Sequence, residues 1–171
     1  MPMLGLLGLL AGLAACAGTG SLRGSDYQRG AVHYRVGTLP AEWRRIHVRG
    51  ADLVFRHQQG GTLMVSAQCP SSEDAPLEVL VNHLLFDIEH QKEHSRALLT
   101  VDGRAALRIQ LDGELDGVRI ALDLVVLKKD GCAYDLQLAT SPQKLAARQP
   151  DFEAFLRGFS TASAAATKAA D

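Results

Sequence analysis

The stretch VDGRAALRIQLDGELDGVRIALDLVVLKKDGCAYDLQLAT, residues 101–140, decides the fold class. Apolar and polar residues alternate through much of its length, which is the period of a β-strand. Asp-Gly pairs separate the runs, and Asp-Gly favours the positive φ angles of tight hairpin turns. Together with the residues just before it, the stretch predicts an antiparallel meander with strands at 97–101, 104–111, 118–128 and 133–140.

The chain before this meander predicts four shorter strands and a helix. The strand candidates lie at 32–36, 43–48, 52–57 and 62–68, and Gly60-Gly61 joins the last two as a hairpin. Apolar residues spaced by three and four then predict a helix over residues 77–93. Its inward stripe contains Leu77, Leu80, Val81, Leu84, Leu85 and Ile88.

A second helix is predicted to close the fold. It begins at Pro142 or Pro150 and runs through Phe159. Its inward stripe contains Phe152, Phe155, Leu156 and Phe159. The resulting order is ββββ-α-ββββ-α. This order predicts an α+β fold in which both helices pack on one antiparallel sheet.

The N-terminal segment resembles that of a bacterial lipoprotein. Residues 4–15 contain only Leu, Gly and Ala, a run too short to span a bilayer but suited to a signal peptide. The run ends in Leu13-Ala14-Ala15-Cys16, which resembles a lipobox. The resemblance implies a signal peptide over 1–15 and a lipid on Cys16, although no Lys or Arg precedes the apolar run. An ordinary secretory signal with a chance cysteine is the alternative.

The same resemblance implies a location in the cell. Ala17, and not Asp, follows the cysteine. In the enterobacterial sorting rule this resembles a signal for delivery to the outer membrane, where the protein would face the periplasm. We expect residues 16–30 to form a tether, residues 31–160 a single domain, and residues 161–171 a disordered tail. The chain has 18 basic and 19 acidic residues and a net charge of -1, without a basic run, so nucleic-acid binding is disfavoured.

Two cysteines remain once Cys16 is set aside. Cys69 and Cys132 form an even pair in a chain predicted to be exported, which favours a disulfide. A redox pair is the alternative, but redox cysteines are usually close in sequence, as in Cys-x-x-Cys. We therefore predict a structural disulfide that ties the strands before the first helix to the meander.

Several pieces of the domain resemble the PsbP-like fold, which occurs in extrinsic photosystem II proteins and small bacterial lipoproteins. The element order from Val32 to Phe159 carries the resemblance, together with LPAEW, VDGRAALRIQLDGELDGVRI, YDLQLATSP and PDFEAFLRGF. The resemblance implies the fold. It does not assign a function, because this fold hosts structural, accessory and import-factor proteins.

Three residue clusters are candidate sites. On the predicted first helix, a strip spaced for zinc or copper contains His83, Asp87, His90 and His94. A pattern similar to a calcium loop contains Asp112, Glu114, Asp116 and Asp123, with an acidic hairpin tip as the alternative. A candidate contact surface contains Trp43, Arg44, Arg45 and His47, although Trp43 and Ile46 could instead pack in the core.

No sequence motif for a catalytic nucleophile, a metalloprotease or a phosphate-binding loop is present. We therefore expect a non-enzymatic accessory lipoprotein without a cofactor, which binds another envelope protein or assembly. The alternative is a carrier of a small ligand or lipid that serves an envelope transporter. Bulky residues such as Phe86, Leu122 and Leu124 predict a closed core and argue against a carrier. A third class, metal handling, depends on the histidine strip.

Overall fold

A computed structural model describes residues 20–70 and 75–161. The predicted signal peptide, Cys16 and most of the predicted tail lie outside the described residues. Within the described part, no helix is long and apolar enough to cross a membrane.

The described chain forms eleven strands, two α-helices and a short 3₁₀-helix. The strands are β1 (Ser21–Arg23), β2 (Asp26–Arg29), β3 (Val32–Arg35), β4 (Trp43–Ile46), β5 (Leu53–His57), β6 (Thr62–Gln68), β7 (Glu89–Val101), β8 (Arg104–Leu115), β9 (Val118–Lys129), β10 (Cys132–Thr140) and β11 (Ser160–Thr161). The α-helices are α1 (Leu77–Leu84) and α2 (Leu145–Arg157), and the 3₁₀-helix at Pro142–Lys144 precedes α2.

The strands form two antiparallel sheets, where the sequence predicted one. The main sheet has the order β4-β5-β6-β10-β9-β8-β7, and the small sheet has the order β1-β2-β3-β11. Helix α2 and the small sheet cover one face of the main sheet, whereas α1 covers part of the other face. The α+β fold class is confirmed, with more strands than the predicted order contained.

The predicted hairpin turns of the meander are present. Asp102-Gly103, Asp116-Gly117 and Asp130-Gly131 all have positive φ angles at both positions. Strand β8 nevertheless continues through 112–115, which the sequence assigned to a loop. The Asp-Gly pair at 112–113 is thus inside a strand, where a Cβ on Gly113 would come within 2.4 Å of the Ile88 Cγ2 atom. Gly113 is needed here because Ile88 packs over the strand.

The prediction of a helix over residues 77–93 is wrong in its second half. Helix α1 ends at Leu84, and residues 89–101 form β7, which pairs with β8. Residues 89–96 contain no apolar side chain, so a longer helix would have buried nothing there, whereas the strand extends the main sheet by pairing with β8. The register of β7 shifts between Glu89 and Lys92 and again between Glu93 and Ser95.

Part of the segment predicted as a tether is folded. Residues 21–29 form β1 and β2 of the small sheet, and Tyr27 is fully buried. The Tyr27 ring stacks on Tyr34 at a centroid distance of 4.8 Å, and Tyr34 also contacts Tyr134 and Phe159. The sequence did not predict β2 because the residues around Tyr27 are mostly polar. One buried aromatic ring supplies most of the contact between this strand and the core.

Two features connect the elements across the fold as predicted. The disulfide joins Cys69, just after β6, to Cys132 at the start of β10. Helix α2 places Phe152, Phe155 and Leu156 in the core, and Phe159 after it is also buried. Leu122 and Leu124 are buried as expected, but Phe86 is 83% exposed and does not fill the core.

Candidate functional site

The four residues of the predicted metal strip do not share a helix face. His83 lies on α1 and Asp87 in the following turn, whereas His90 and His94 lie on β7. His94 instead pairs with Asp112 at 3.1 Å. In residues 20–70 and 75–161 no group of three metal-ligating side chains comes together. The helical spacing on which the metal hypothesis depended is therefore wrong.

The predicted calcium loop is a hairpin. Asp112 and Glu114 lie within β8, and only Asp116 is in the turn. Asp123 is fully buried in the middle of β9. Because these carboxylates are distributed along strands, they do not surround one ion, and the acidic hairpin tip is the arrangement that forms.

Asp123 belongs to a buried polar cluster that the sequence reading missed. Its two carboxylate oxygens accept hydrogen bonds from the Arg108 Nε and Nη2 atoms at 2.8 and 2.7 Å, and Gln110 Nε2 donates a third at 2.7 Å. Arg108 also contacts Glu153 of α2 at 2.6 Å, and Asp123 raises the pKa of the Arg108 guanidinium. A lone Asp within the apolar run 121–127 was the available signal. Through the contact between Arg108 and Glu153, this cluster connects α2 to the main sheet.

Asp135 is a second carboxylate at the centre of the main sheet. Burial raises the pKa of Asp135 from 3.8 to about 6, although hydrogen bonds from Gln137 and Ser66 act in the opposite direction. Gln137 Nε2 donates to the Asp135 Oδ1 atom at 2.9 Å. The folded protein therefore holds this proton more tightly than the unfolded chain does.

We expect Asp135→Asn to alter the pH dependence of stability. The raised pKa stabilises the fold below pH 3.8, and this contribution is lost as the pH rises to about 6. Relative to wild type, Asp135→Asn should therefore gain on the order of 2 kcal/mol of unfolding free energy over this interval. Denaturant titrations of both proteins across the interval measure the difference, and a constant difference would contradict the assignment.

The predicted contact surface is divided between two environments. Trp43 is buried, and its indole Nε1 donates to the Asp151 Oδ2 atom of α2 at 2.8 Å. Arg44 lies on the opposite face of β4 from Trp43, because successive strand residues alternate. Ile46 is exposed rather than packed in the core. Trp43 lines one cavity, whereas Arg45 and His47 line a different one.

This cavity, which we call the basic cavity, has a volume of about 580 Å³. Its charged and titratable lining side chains are Tyr27, Arg29, Arg45, His47, Arg49 and Asp52. The Asp52 carboxylate is already engaged by Arg29 at 2.6 Å, by the Tyr27 hydroxyl at 3.1 Å and by the Ala67 backbone N–H at 2.8 Å. Three arginines therefore face a space with one carboxylate, and that carboxylate already has hydrogen-bond donors.

Arg45 is a half-buried arginine of the basic cavity. Its Nη2 atom donates to the Gly20 carbonyl at 3.4 Å. Its Nε atom is buried and has no hydrogen-bond partner within the described residues. A buried donor without a partner costs about 1–3 kcal/mol, so the position favours an added acceptor.

Arginines are concentrated in the first part of the described chain, although the net charge of the whole chain is only -1. Residues 20–57 contain three acidic residues, Asp26, Glu42 and Asp52, and seven arginines. The arginines are Arg23, Arg29, Arg35, Arg44, Arg45, Arg49 and Arg56. No sequence run is basic, because β2, β4 and the β4–β5 loop each contribute part of the set.

A second surface, which we call the apolar tip, is formed by Phe86, Leu115 and Val118. These side chains are 83%, 40% and 63% exposed. Leu115 and Val118 face each other across the β8–β9 hairpin, and Phe86 lies three residues before Glu89, which pairs with Glu114 next to Leu115. Acidic side chains flank the tip in sequence: Asp87, Glu89, Glu114 and Asp116.

The basic cavity and the apolar tip lie at opposite ends of the main sheet. Strand β9 begins at the tip with Val118 and ends at Lys129, which pairs with Cys132 of β10. Asp52 of the cavity contacts Ala67, which pairs with Tyr134 near that same end of β10. The 12 residues of β9 extend roughly 40 Å at about 3.4 Å per residue.

The fold was compared with known proteins. No protein-family model and no curated protein matches the chain. Among solved structures, the chain is similar to cyanobacterial PsbP from Synechocystis, with a TM-score of 0.54 and 14% identity over 90% of this chain and 99% of that chain. The chain therefore has a PsbP-like fold.

Two further solved structures are similar. LpqN of Mycobacterium tuberculosis, described as involved in cell envelope biogenesis, has a TM-score of 0.56 and 14% identity, over 78% of this chain and 86% of that chain. A protein of Bacteroides thetaiotaomicron has a TM-score of 0.55 and 10% identity, over 77% of this chain and 46% of that chain. At sequence identities of 10–14%, the similarity to these structures concerns the fold alone.

Proposed function

We propose that this chain is a non-enzymatic accessory lipoprotein of the bacterial envelope, held in the outer membrane by a lipid on Cys16, that binds another envelope protein through its apolar tip. The observation that carries the proposal is the exposure of Phe86, Leu115 and Val118 together at one end of the main sheet. The lipobox-like residues 13–16 and the described involvement of LpqN in envelope biogenesis support the location.

The tip has the composition of a binding surface. Burying an exposed Phe side chain contributes about 1.5–3 kcal/mol, and interface energy is commonly concentrated in a few such residues. The acidic flanks at Asp87, Glu89, Glu114 and Asp116 fit a partner whose apolar surface has a basic rim. The fold has no need of Phe86 for packing, since its side chain is solvated.

A photo-reactive amino acid placed at position 86 or 118 of the full chain is expected to cross-link one discrete envelope protein in intact cells. The matched control is the same group at position 98, because Leu98 is 70% exposed but lies on β7 away from the tip. The exposed-site variant Phe86→Ser should abolish the adduct formed from position 118. Equal adducts from positions 86, 98 and 118, or none from the tip, would contradict the proposal.

One observation favours a second candidate, a carrier of a small apolar ligand. A cavity of about 340 Å³ lies between the small sheet and strands β4 and β5, with Leu22, Val36, Leu39, Trp43 and Phe55 in its lining. This volume is in the range of ligand sites. Native mass spectrometry of protein purified from envelopes distinguishes the candidates, because a carrier retains a small molecule of defined mass.

A further inference from the structure

We propose that the basic cavity binds the phosphate groups of anionic phospholipids in the membrane that holds the chain, so that this end of the domain lies on the bilayer. The proposal concerns a different surface from the apolar tip. It depends on the proposed function in one respect, which is the lipid on Cys16.

The cavity has the chemistry of a phosphate site. Arg45, Arg49 and His47 line it without a carboxylate partner among the described residues, and the Arg45 Nε atom is a buried donor with no acceptor there. A phosphate ester supplies several acceptor oxygens, and arginine guanidinium groups bind it through paired N–H donors. Asp52 does not repel such a ligand strongly, because Arg29 neutralises it at 2.6 Å.

The position of the cavity in the chain selects a membrane as the source of the phosphate. Gly20 lines the cavity and accepts a hydrogen bond from Arg45. Only residues 17–19 separate Gly20 from Cys16, and a chain of this length reaches about 14 Å when fully extended. A lipid on Cys16 therefore brings the cavity to the headgroup layer, whereas the tether predicted over 16–30 would have left the domain free.

The side chains beside the cavity also suit a bilayer surface. Val48 is 46% exposed between His47 and Arg49, so an apolar group is available at the level of the lipid headgroups. Each arginine near an anionic surface increases binding by about fivefold. Residues 20–57, which contribute most of the cavity lining, contain seven arginines and three acidic residues.

The test uses the chain from residue 16 onward with Cys16→Ser, so that binding does not depend on an acyl anchor. This chain contains all eleven strands and both α-helices, which lie within residues 21–161. It should co-float with phosphatidylcholine vesicles that contain one third phosphatidylglycerol and not with pure phosphatidylcholine vesicles. The double variant Arg45→Gln/Arg49→Gln should bind at least tenfold more weakly.

The matched control removes two exposed arginines outside the cavity, Arg119→Gln/Arg157→Gln, and should retain most of the binding. Because Arg45 is half-buried, the exposed-site variant Arg49→Glu gives a second test that does not affect packing, and it should also lose vesicle binding. Equal losses in the cavity and control variants, or no binding to the anionic vesicles, would overturn the proposal.

A soluble phosphate compound is the competing source. Millimolar inorganic phosphate or glycerol phosphate should leave most of the vesicle binding intact, since a bilayer offers many headgroups at once. Saturable binding of either free compound together with full displacement from vesicles would overturn the assignment to lipid. Phe86→Ser should bind vesicles normally, so failure at this surface is distinguishable from failure of the proposed partner contact at the tip.

Discussion

Replacement of Arg108 by methionine is expected to lower the free energy of unfolding by about 3–5 kcal/mol, because it removes the partner of a buried charge. The Asp123 side chain is fully inaccessible to solvent, and Arg108 provides two of its hydrogen bonds. Without the guanidinium, Gln110 alone donates a short hydrogen bond to the carboxylate, since Gln149 lies at 3.4 Å. The contact between β8 and Glu153 of α2 is lost as well.

Guanidinium titration of wild type and Arg108→Met measures this loss. Two controls isolate its cause. Arg96→Met breaks an exposed pair with Glu93 and is expected to change stability little. The double variant Arg108→Met/Asp123→Leu removes both charges and should recover much of the stability. A double variant as unstable as the sum of its single variants would show that packing, and not the unpaired carboxylate, determines the cost.

Removal of the disulfide is expected to cost about 4 kcal/mol. The bridge joins Cys69 and Cys132, which are 63 positions apart, and a closed loop of this length strongly restricts the unfolded chain. We expect Cys69→Ser/Cys132→Ser to unfold at a much lower denaturant concentration than the oxidised wild type. The double variant avoids leaving a single thiol that could pair between molecules.

Reduction provides the control for this prediction. A reductant should lower the stability of the wild type to nearly that of Cys69→Ser/Cys132→Ser and should leave the double variant unchanged. If the reduced and oxidised wild types unfold at the same denaturant concentration, the bridge contributes nothing and the two strand groups are held by packing alone.

The meander was predictable because its residues obey two local rules at once. Alternating apolar residues fix the strand faces, and Asp-Gly at 102–103, 116–117 and 130–131 fixes the turns. Helix α1 was predictable only in its first two turns, because the apolar stripe continues to Ile88 although the helix ends at Leu84. Beyond it, the spacing of His83, His90 and His94 imitated a helix face, whereas the backbone pairing with β8 decided the structure of residues 89–101.

The candidate site was predictable only in part. Arg45 and His47 were identified beside Trp43, but Arg29 comes from β2, in a segment whose polar composition indicated a tether. A cavity formed by separate strands has no signature of consecutive residues. The Arg108–Asp123 pair was concealed for a similar reason, since residues 15 positions apart become neighbours only through the register of β8 and β9.

Strand β7 has a consequence for association between copies of the protein. It forms one edge of the main sheet and runs for 13 residues with nearly all its side chains in solvent. An open edge of this length is a template for pairing between copies, and confinement to a surface would raise their local concentration. Charged residues at Glu89, Lys92, Glu93 and Arg96 and the two register shifts interrupt the regular backbone that such pairing needs. These charges and register shifts therefore disfavour edge-to-edge pairing of β7 with a second copy.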